Sequence, residues 1–198
     1  MLSVVRGMEE AKKAGTVISL DLNYRKKLWK YGKAAKDVMT ELAKMADVLI
    51  ANEEDIQNCL GIQLKNYNTP CESYHHLCDD VKNQFPNVKA VAVTLRHSYS
   101  ADRNGWSAVL CGKHGFYESA HYDIENIVER VGAGDSFAAG LIYGLTEFED
   151  SADGERKALD FAAAASCLKH SIPGDFNLAT KDEVEVLMKG NGNGRIQR

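Results

Sequence analysis

Residues Arg130-Val131-Gly132-Ala133-Gly134-Asp135-Ser136-Phe137 set two glycines and a carboxylate at the head of the apolar run FAAGLIYGL. The run is apolar almost all round, so a helix over 133–145 is expected to be buried, with its N-terminus opening at the interior or in a cleft. First-turn N–H groups lack partners within the helix, and together with the helix dipole they attract an anion. Glycine lets the backbone come close to a phosphate. A carboxylate beside such a turn suits removal of a proton from a hydroxyl that then attacks a phosphoryl group. The competing reading is a plain glycine-rich turn with Asp135 as a first-turn acid. Spacing alone favours that reading, because short glycine motifs arise often by chance. The run is neither the Rossmann G-x-G-x-x-G nor a Walker A loop, since no Gly-Lys-Ser/Thr follows.

The elements that would position this turn alternate. Helical periodicity over 3–14 is followed by a β-rich run at 16–20. A helix is expected over 33–45, an apolar run at 48–51, a short helix at 53–60 and a more polar one at 72–84. Residues 89–95 (KAVAVTL) read as a buried strand. The alternation predicts parallel strands covered by helices. Residues 106–111 and 116–120, joined by Gly-Lys-His-Gly, read as a β-hairpin. After the 133–145 helix, a second long helix is expected over 154–170, and Thr180 is a plausible cap for a last one over 181–189.

Composition bounds the function. The chain has 198 residues, 44% hydrophobic and 26% charged, enough to build a core. A formal net charge of −4 argues against nucleic acid or an anionic membrane as partner, while leaving room for a local nucleotide site. No apolar run approaches a membrane span, and the first residues, MLSVVRGMEEAKKAG, lack the pattern of a signal peptide. Five cysteines at irregular spacing fit a reduced, cytoplasmic protein.

In this context VGAGDSFAAGLIYGL resembles the C-terminal signature of the ribokinase/PfkB carbohydrate kinases, whose core is Gly-Ala-Gly-Asp followed by a small-residue helix. The resemblance implies an α/β, ribokinase-like fold: a mostly parallel sheet flanked by helices, with a β-hairpin before the catalytic helix. It implies that Asp135 is the base that deprotonates the bound sugar hydroxyl. Gly132, Ala133 and Gly134 then form the anion hole for the γ-phosphate. Position 129 is Glu where the family usually has Asp. Asn52-Glu53-Glu54-Asp55 resembles the family's N-x-x-E element, which organises magnesium, with Asp55 in place of the glutamate. The same residues also read as a helix cap followed by first-turn acids, and both readings can hold. Asp21-Leu22-Asn23-Tyr24-Arg25, with Leu28-Trp29, resembles a stretch of the 2-keto-3-deoxygluconate kinases. That implies Arg25 on the substrate side, where a guanidinium suits a sugar-acid carboxylate or the phosphate; otherwise Arg25 is a solvated loop cation. Residues 162–177, ending Ser171-Ile172-Pro173-Gly174-Asp175-Phe176-Asn177, resemble the same subgroup and imply that Asn177 borders the adenine. Packing and a Pro-Gly helix stop account for most of that stretch. Many family members have Thr-Leu-Gly where the backbone meets the nucleotide; here it is Thr94-Leu95-Arg96, so Arg96 either contacts phosphate or is displaced.

The resemblance covers nearly the whole chain but only the C-terminal part of the family's length, so the N-terminal strands and lid are absent from this reading. The expected organisation is 1–189 as the C-terminal part of a kinase domain and 190–198 as a loose tail. The implied reaction is ATP-dependent phosphorylation of 2-keto-3-deoxygluconate to its 6-phosphate, with Mg2+ and a candidate role for K+. Two alternatives stand: a nucleotide-binding fragment with little or no turnover, and a kinase of the fructose or ribose class. The expected partners are a sugar acid and ATP, with a homo-oligomer or a missing N-terminal part covering the exposed sheet edge. Cys71, His75, His76 and Cys78 fit no zinc spacing and read as a surface helix. His97, His114 and His121 read as loop residues without a chemical role, and Trp29 and Trp106 as packing residues.

Overall fold

The computed structural model describes residues 2–190; apart from Gly190, which caps the last helix, the expected 190–198 tail lies outside the described residues. Two compact units are present, one built from the chain up to Val93 with Cys111–Lys113, the other from Thr94–Leu110 and the chain from His114 onward.

The first unit runs α1 (Leu2–Lys13), β1 (Ser19–Asp21), α2 (Ala35–Ala43), β2 (Val48–Ala51), α3 (Glu53–Leu60), α4 (Pro70–Gln84) and the first half of β3 (Ala90–Ser98). Its three strands are parallel, with Ser19 opposite Val48 and Val48 opposite Ala90. Parallel neighbours need a crossover, and helices supply each one. β2 lies between the other two and is buried along its whole length. α3 starts at Asn52, whose side chain accepts from Asp55 N, and stops at Gly61 in the left-handed region.

The second unit contains the rest of β3, then β4 (Arg103–Cys111), β5 (Phe116–Glu118), β6 (Tyr122–Glu125), α5 (Ala133–Glu147), α6 (Ala152–Lys169) and α7 (Lys181–Lys189). β4 lies between β3 and β5, and β6 pairs with it antiparallel, Trp106 opposite Tyr122. The core gathers Trp106, Tyr122, Phe161, Leu168, Val184 and Leu187. Ser151 caps α6, and α7 opens with a capping box between Thr180 and Glu183.

The pairing of α5 with α6 is the closest in this unit. A Cβ on Gly140 would stand 2.9 Å from Ala162 Cα, and one on Gly144 would stand 2.6 Å from both Cα and Cβ of Ala158. Ser166 Oγ donates to Ala133 O at 2.7 Å. Residues later in α5 thus meet residues earlier in α6, so the two helices are antiparallel.

The predicted elements are all present, with three differences. β1 begins at Ser19 rather than Thr16. A hairpin between β3 and β4, closed by Tyr99 N donating to Arg103 O, and the strand β6 were not foreseen. Thirdly, α5 is not buried all round. Ala133, Ser136, Phe137, Gly140, Leu141 and Gly144 are buried, while Asp135 and Ala139 are exposed and Ile142 is 46% exposed. The helix packs with one face, and its apolar sequence does not mark the other as buried.

Replacing Gly144 with Ala should destabilise the fold by about 1–3 kcal/mol despite alanine's better helix propensity, because the extra methyl has no room against Ala158. Urea unfolding with unchanged m-value would show it; equal or greater stability would contradict the close helix contact.

Candidate active site

In the second unit, Gly132 is the N-cap of α5 with φ +81 and no capping side chain. A Cβ there would land on the carbonyl oxygen of Asp175, so both conformation and contact demand glycine. Gly134 differs: nothing lies within 4 Å of where its Cβ would stand, and the residue is exposed. No protein contact requires glycine at 134, so the open space beside it is available to a ligand. Asp135 follows in the first turn, also exposed. Ser136 N is already bonded to Gly132 O.

The chain entering the turn is clamped. Glu129 Oε1 accepts from Arg130 N at 2.8 Å and Val131 N at 2.9 Å, and these bonds hold its carboxyl below the usual range. The glutamate at this position thus does backbone work that either acid could do. Arg130 reaches back to Ser100 O and Ala101 O at 3.1 and 2.6 Å. His170 lies behind the turn, buried, its Nδ1–H donating to Ser166 O at 2.8 Å and its ring edge-on to Trp106. Burial holds its pKa below the ordinary value, and the charges of Arg130, Lys169 and Arg96 push the same way. Cations therefore converge on this side of the turn. Arg96 is exposed near the end of β3 and is one of them; Thr94 is half-buried on the same strand.

Beside α5 lies a cavity of ≈ 270 Å³, lined by Ser136, Tyr143, Phe161, Ala165, Asn177 and Val184 among others. Asn177 borders it, and its amide is committed: Nδ2 donates to Ala165 O at 3.0 Å and Oδ1 accepts from Ala179 N at 2.9 Å. Its part is to hold the loop that forms the cavity wall. Tyr143 and Phe161 were not foreseen as lining, because in sequence they are indistinguishable from core aromatics.

In the first unit, the carboxyl ends of β1 and β2 gather Asp21, Arg25, Asn52 and Asp55, in the position where parallel α/β sheets place ligands. Asp55 is buried; Asn52 Nδ2 donates to its Oδ2 at 3.0 Å. Burial raises its pKa from 3.8 to about 6, partly offset by the Tyr24 N–H, with nearby Asp21 raising it further and Arg25 lowering it. Arg25 is exposed, one guanidinium nitrogen donating to Tyr24 O at 3.0 Å. A buried carboxyl whose charge is not fully offset, with Asp21 and the Asn52 amide oxygen near, suits a hard divalent cation. Among the described residues no group of three His, Cys, Asp or Glu is placed to hold a metal ion.

His97 lies within β3, beside the β3–β4 turn, rather than in a loop. Cys71, His75 and His76 are exposed on α4 while Cys78 is buried, so they do not converge. Trp106 is buried, and Trp29 Nε1 donates to Lys33 O at 2.8 Å. His114 pairs with Asp150 at 2.7 Å, a surface contact.

Comparison with known proteins matches residues 2–175 to the pfkB family carbohydrate kinases, and the chain belongs to that family. Its fold is that of a solved 2-dehydro-3-deoxygluconokinase from Thermotoga maritima, with TM-score 0.85 and 44% identity over 96% of this chain and 55% of that one. A 2-dehydro-3-deoxygalactonokinase from Haloferax volcanii is 29% identical over 94% of this chain and 52% of its own length. The fold is shared at 20% identity, TM-score 0.72, by a Vibrio cholerae fructokinase solved with fructose, ADP and potassium, of which the chain covers 55%. The chain thus spans about half the length of these relatives. Among the described residues no helix is long and apolar enough to cross a membrane.

Because Asp55 binds its proton more tightly folded than unfolded, charging it costs stability progressively as pH rises from about 4 to 6, and the full cost persists above. Asp55→Asn should therefore melt higher than the unaltered chain at pH 8 and gain little at pH 4. Melting curves at both pH values check this; a gain that is larger at pH 4 would reverse the sign.

Proposed function

We propose that the chain supplies the phosphoryl-transfer site of an ATP-dependent sugar-acid kinase, with 2-keto-3-deoxygluconate or a related keto-sugar acid phosphorylated at the 6-hydroxyl. The observation that carries this reading is the Gly132–Asp135 turn, an uncapped helix N-terminus with open space beside Gly134 and a free-facing carboxylate one residue on. The family supports kinase chemistry, and the 44% identity to a 2-dehydro-3-deoxygluconokinase supports the substrate class. Residues 1–189 then form the C-terminal part of a kinase domain.

In this reading the N–H groups of Gly132 and Gly134 face the γ-phosphate, and that of Ala133, which donates to Arg130 O at 3.4 Å, turns to it when the phosphate is bound, because charge on the equatorial oxygens must be met throughout transfer. Asp135 accepts the proton of the attacking hydroxyl as the new P–O bond forms and ADP leaves. The cavity beside α5 takes the adenine, with Tyr143 and Phe161 as apolar walls and Asn177 fixing the rim. Thr94 and Arg96 lie toward the nucleotide, and Arg25 toward the substrate carboxylate. Asn52 and Asp55 would hold a divalent ion, Mg2+ by its oxygen preference, which would supply positive charge for phosphoryl transfer.

Three measurements test the reading. Phosphorylation of 2-keto-3-deoxygluconate by the chain with ATP and magnesium should fall by about 10²–10⁴ in Asp135→Asn, the range for loss of a general base. The ATP-induced rise in melting temperature should persist in that variant. Equal loss of ATP binding would remove Asp135 from the base role, and a thermal shift without any turnover would favour a nucleotide-binding fragment. Gly134→Ala should keep or slightly raise stability, since alanine is the better helix former by about 1 kcal/mol. Its affinity for ATP should nevertheless drop, and unchanged affinity would mean the open space is not the phosphate's.

A further inference from the structure

Lys169 is the last residue of α6 and is wholly buried, 0% exposed. Helix-end lysines ordinarily reach solvent, and an ammonium is costly to bury unless its charge meets another. Its Nζ donates to Ile172 O at 3.0 Å. Its Cε lies 3.2 Å from where a Cβ on Gly132 would stand, so the stem passes directly under the turn that opens α5. After the N–H groups of Val131 and Arg130, the charge of Lys169 is a further influence holding the Glu129 carboxyl below its usual range. The ammonium is thus within electrostatic reach of the acid that clamps this turn.

Helix polarity says what the cation does there. α5 and α6 are antiparallel, so the negative C-terminal pole of α6 adjoins the positive N-terminal pole of α5. An uncompensated C-terminal pole, with the Glu129 carboxylate beside it, would repel the phosphate that the α5 terminus attracts. The last carbonyls of α6 are partly covered: Cys167, Leu168 and Lys169 accept from His170, Ser171 and Ile172 N–H. Those bonds satisfy the acceptors without adding charge. Arg130 and Arg96, the other cations felt at His170, are half-buried and exposed, where solvent and salt screen them. Lys169 alone of these three is withdrawn from that screening.

We propose that Lys169 is a positioning residue of the transfer site, a fixed internal ammonium that cancels the C-terminal pole of α6 and keeps the 132–135 turn positive enough to hold a terminal phosphate. This rests on the reading of that turn as a phosphate site. It adds that the chain carries its own monovalent cation for the turn, so that added potassium or ammonium has no effect on phosphate binding there.

The test is calorimetric titration with magnesium and a non-hydrolysable ATP analogue, with adenosine as the phosphate-free control. In Lys169→Met, nearly isosteric and neutral, analogue affinity should fall about tenfold or more, a unit charge at close range in a partly screened medium being worth at least that. Adenosine affinity should stay within about twofold. Lys169→Ala, which leaves room for a free ion, should lose affinity likewise and regain it in ammonium chloride but not in sodium chloride of equal ionic strength. The unaltered chain should respond to neither salt beyond common screening. If the methionine variant does not fold, the alanine rescue decides alone. Equal analogue affinity in the variants, equal losses for analogue and adenosine, or no ammonium rescue overturns the proposal while leaving the phosphate site standing. No binding of the analogue by the unaltered chain overturns both.

Discussion

Where Gly140 and Gly144 face Ala162 and Ala158, two helix backbones come so close that no larger residue fits between them. That contact fixes the axial position of α5 on α6, and almost everything chemical in the second unit follows from it. It sets Ala133 against Ser166, whose hydroxyl takes up the carbonyl of the first helical residue. It brings the opening turn of α5 alongside the loop that leaves α6, so that Gly132 abuts Asp175 and the stem of Lys169. Larger side chains in the seam would separate the helices and carry the turn away from those partners. Interiors are packed too densely to absorb such a change locally.

The same contact creates an electrostatic problem. Antiparallel helices in tight register put opposite poles side by side, which favours the helix pair but weakens either pole as a ligand site. Around the α5 terminus the opposing charges are arranged in layers. Glu129 spends its carboxylate on two backbone N–H groups, and cations on α6, on β3 and in the 126–132 loop stand behind it. The first unit meets the converse problem at the ends of β1 and β2. There the excess is negative: Asp55 is buried near Asp21 and has only the Asn52 amide, the Tyr24 N–H and an exposed Arg25 to offset it. The site in the first unit is thus short of positive charge, which a divalent ion would supply in the proposed reading.

Much of this was legible in sequence because it is local. The βα alternation, the caps at Asn52 and Thr180 and the glycine turn before α5 depend on residues within a few positions of one another. Family resemblance then named the turn, which spacing alone did not. What sequence concealed was long-range. Nothing local distinguishes Gly134, which faces open space, from Gly132, which faces a carbonyl; only the fold separates a glycine left open from one forced by a neighbour. Lys169 reads as an ordinary helix-end cation until its burial is seen. β6 is four residues, YDIE, with two buried and two exposed, too short for alternation to stand out. For α5 the cause is the opposite: its apolar composition implies burial on every side, whereas Ala139 and Ile142 lie at the surface.

That exposed stripe bears on how the site could work. Asp135, Ala139 and Ile142 follow one another along the same face of α5; Val131, next to the turn in sequence, and Phe176, next to the Asp175 that abuts Gly132, are 56% and 83% exposed. A carboxylate standing in water is a poor setting for phosphoryl transfer, since bulk solvent both competes as nucleophile and weakens the turn's field. The loose transition state of such transfers asks little of the base and much of positioning and charge. In the proposed reading the determining factor is therefore not the basicity of Asp135 but whether the apolar groups around it become covered when ligands are in place. The α5–α6 seam already holds Gly134 and Asp135 at the surface, so in the proposed reading closure has only to remove the water in front of them.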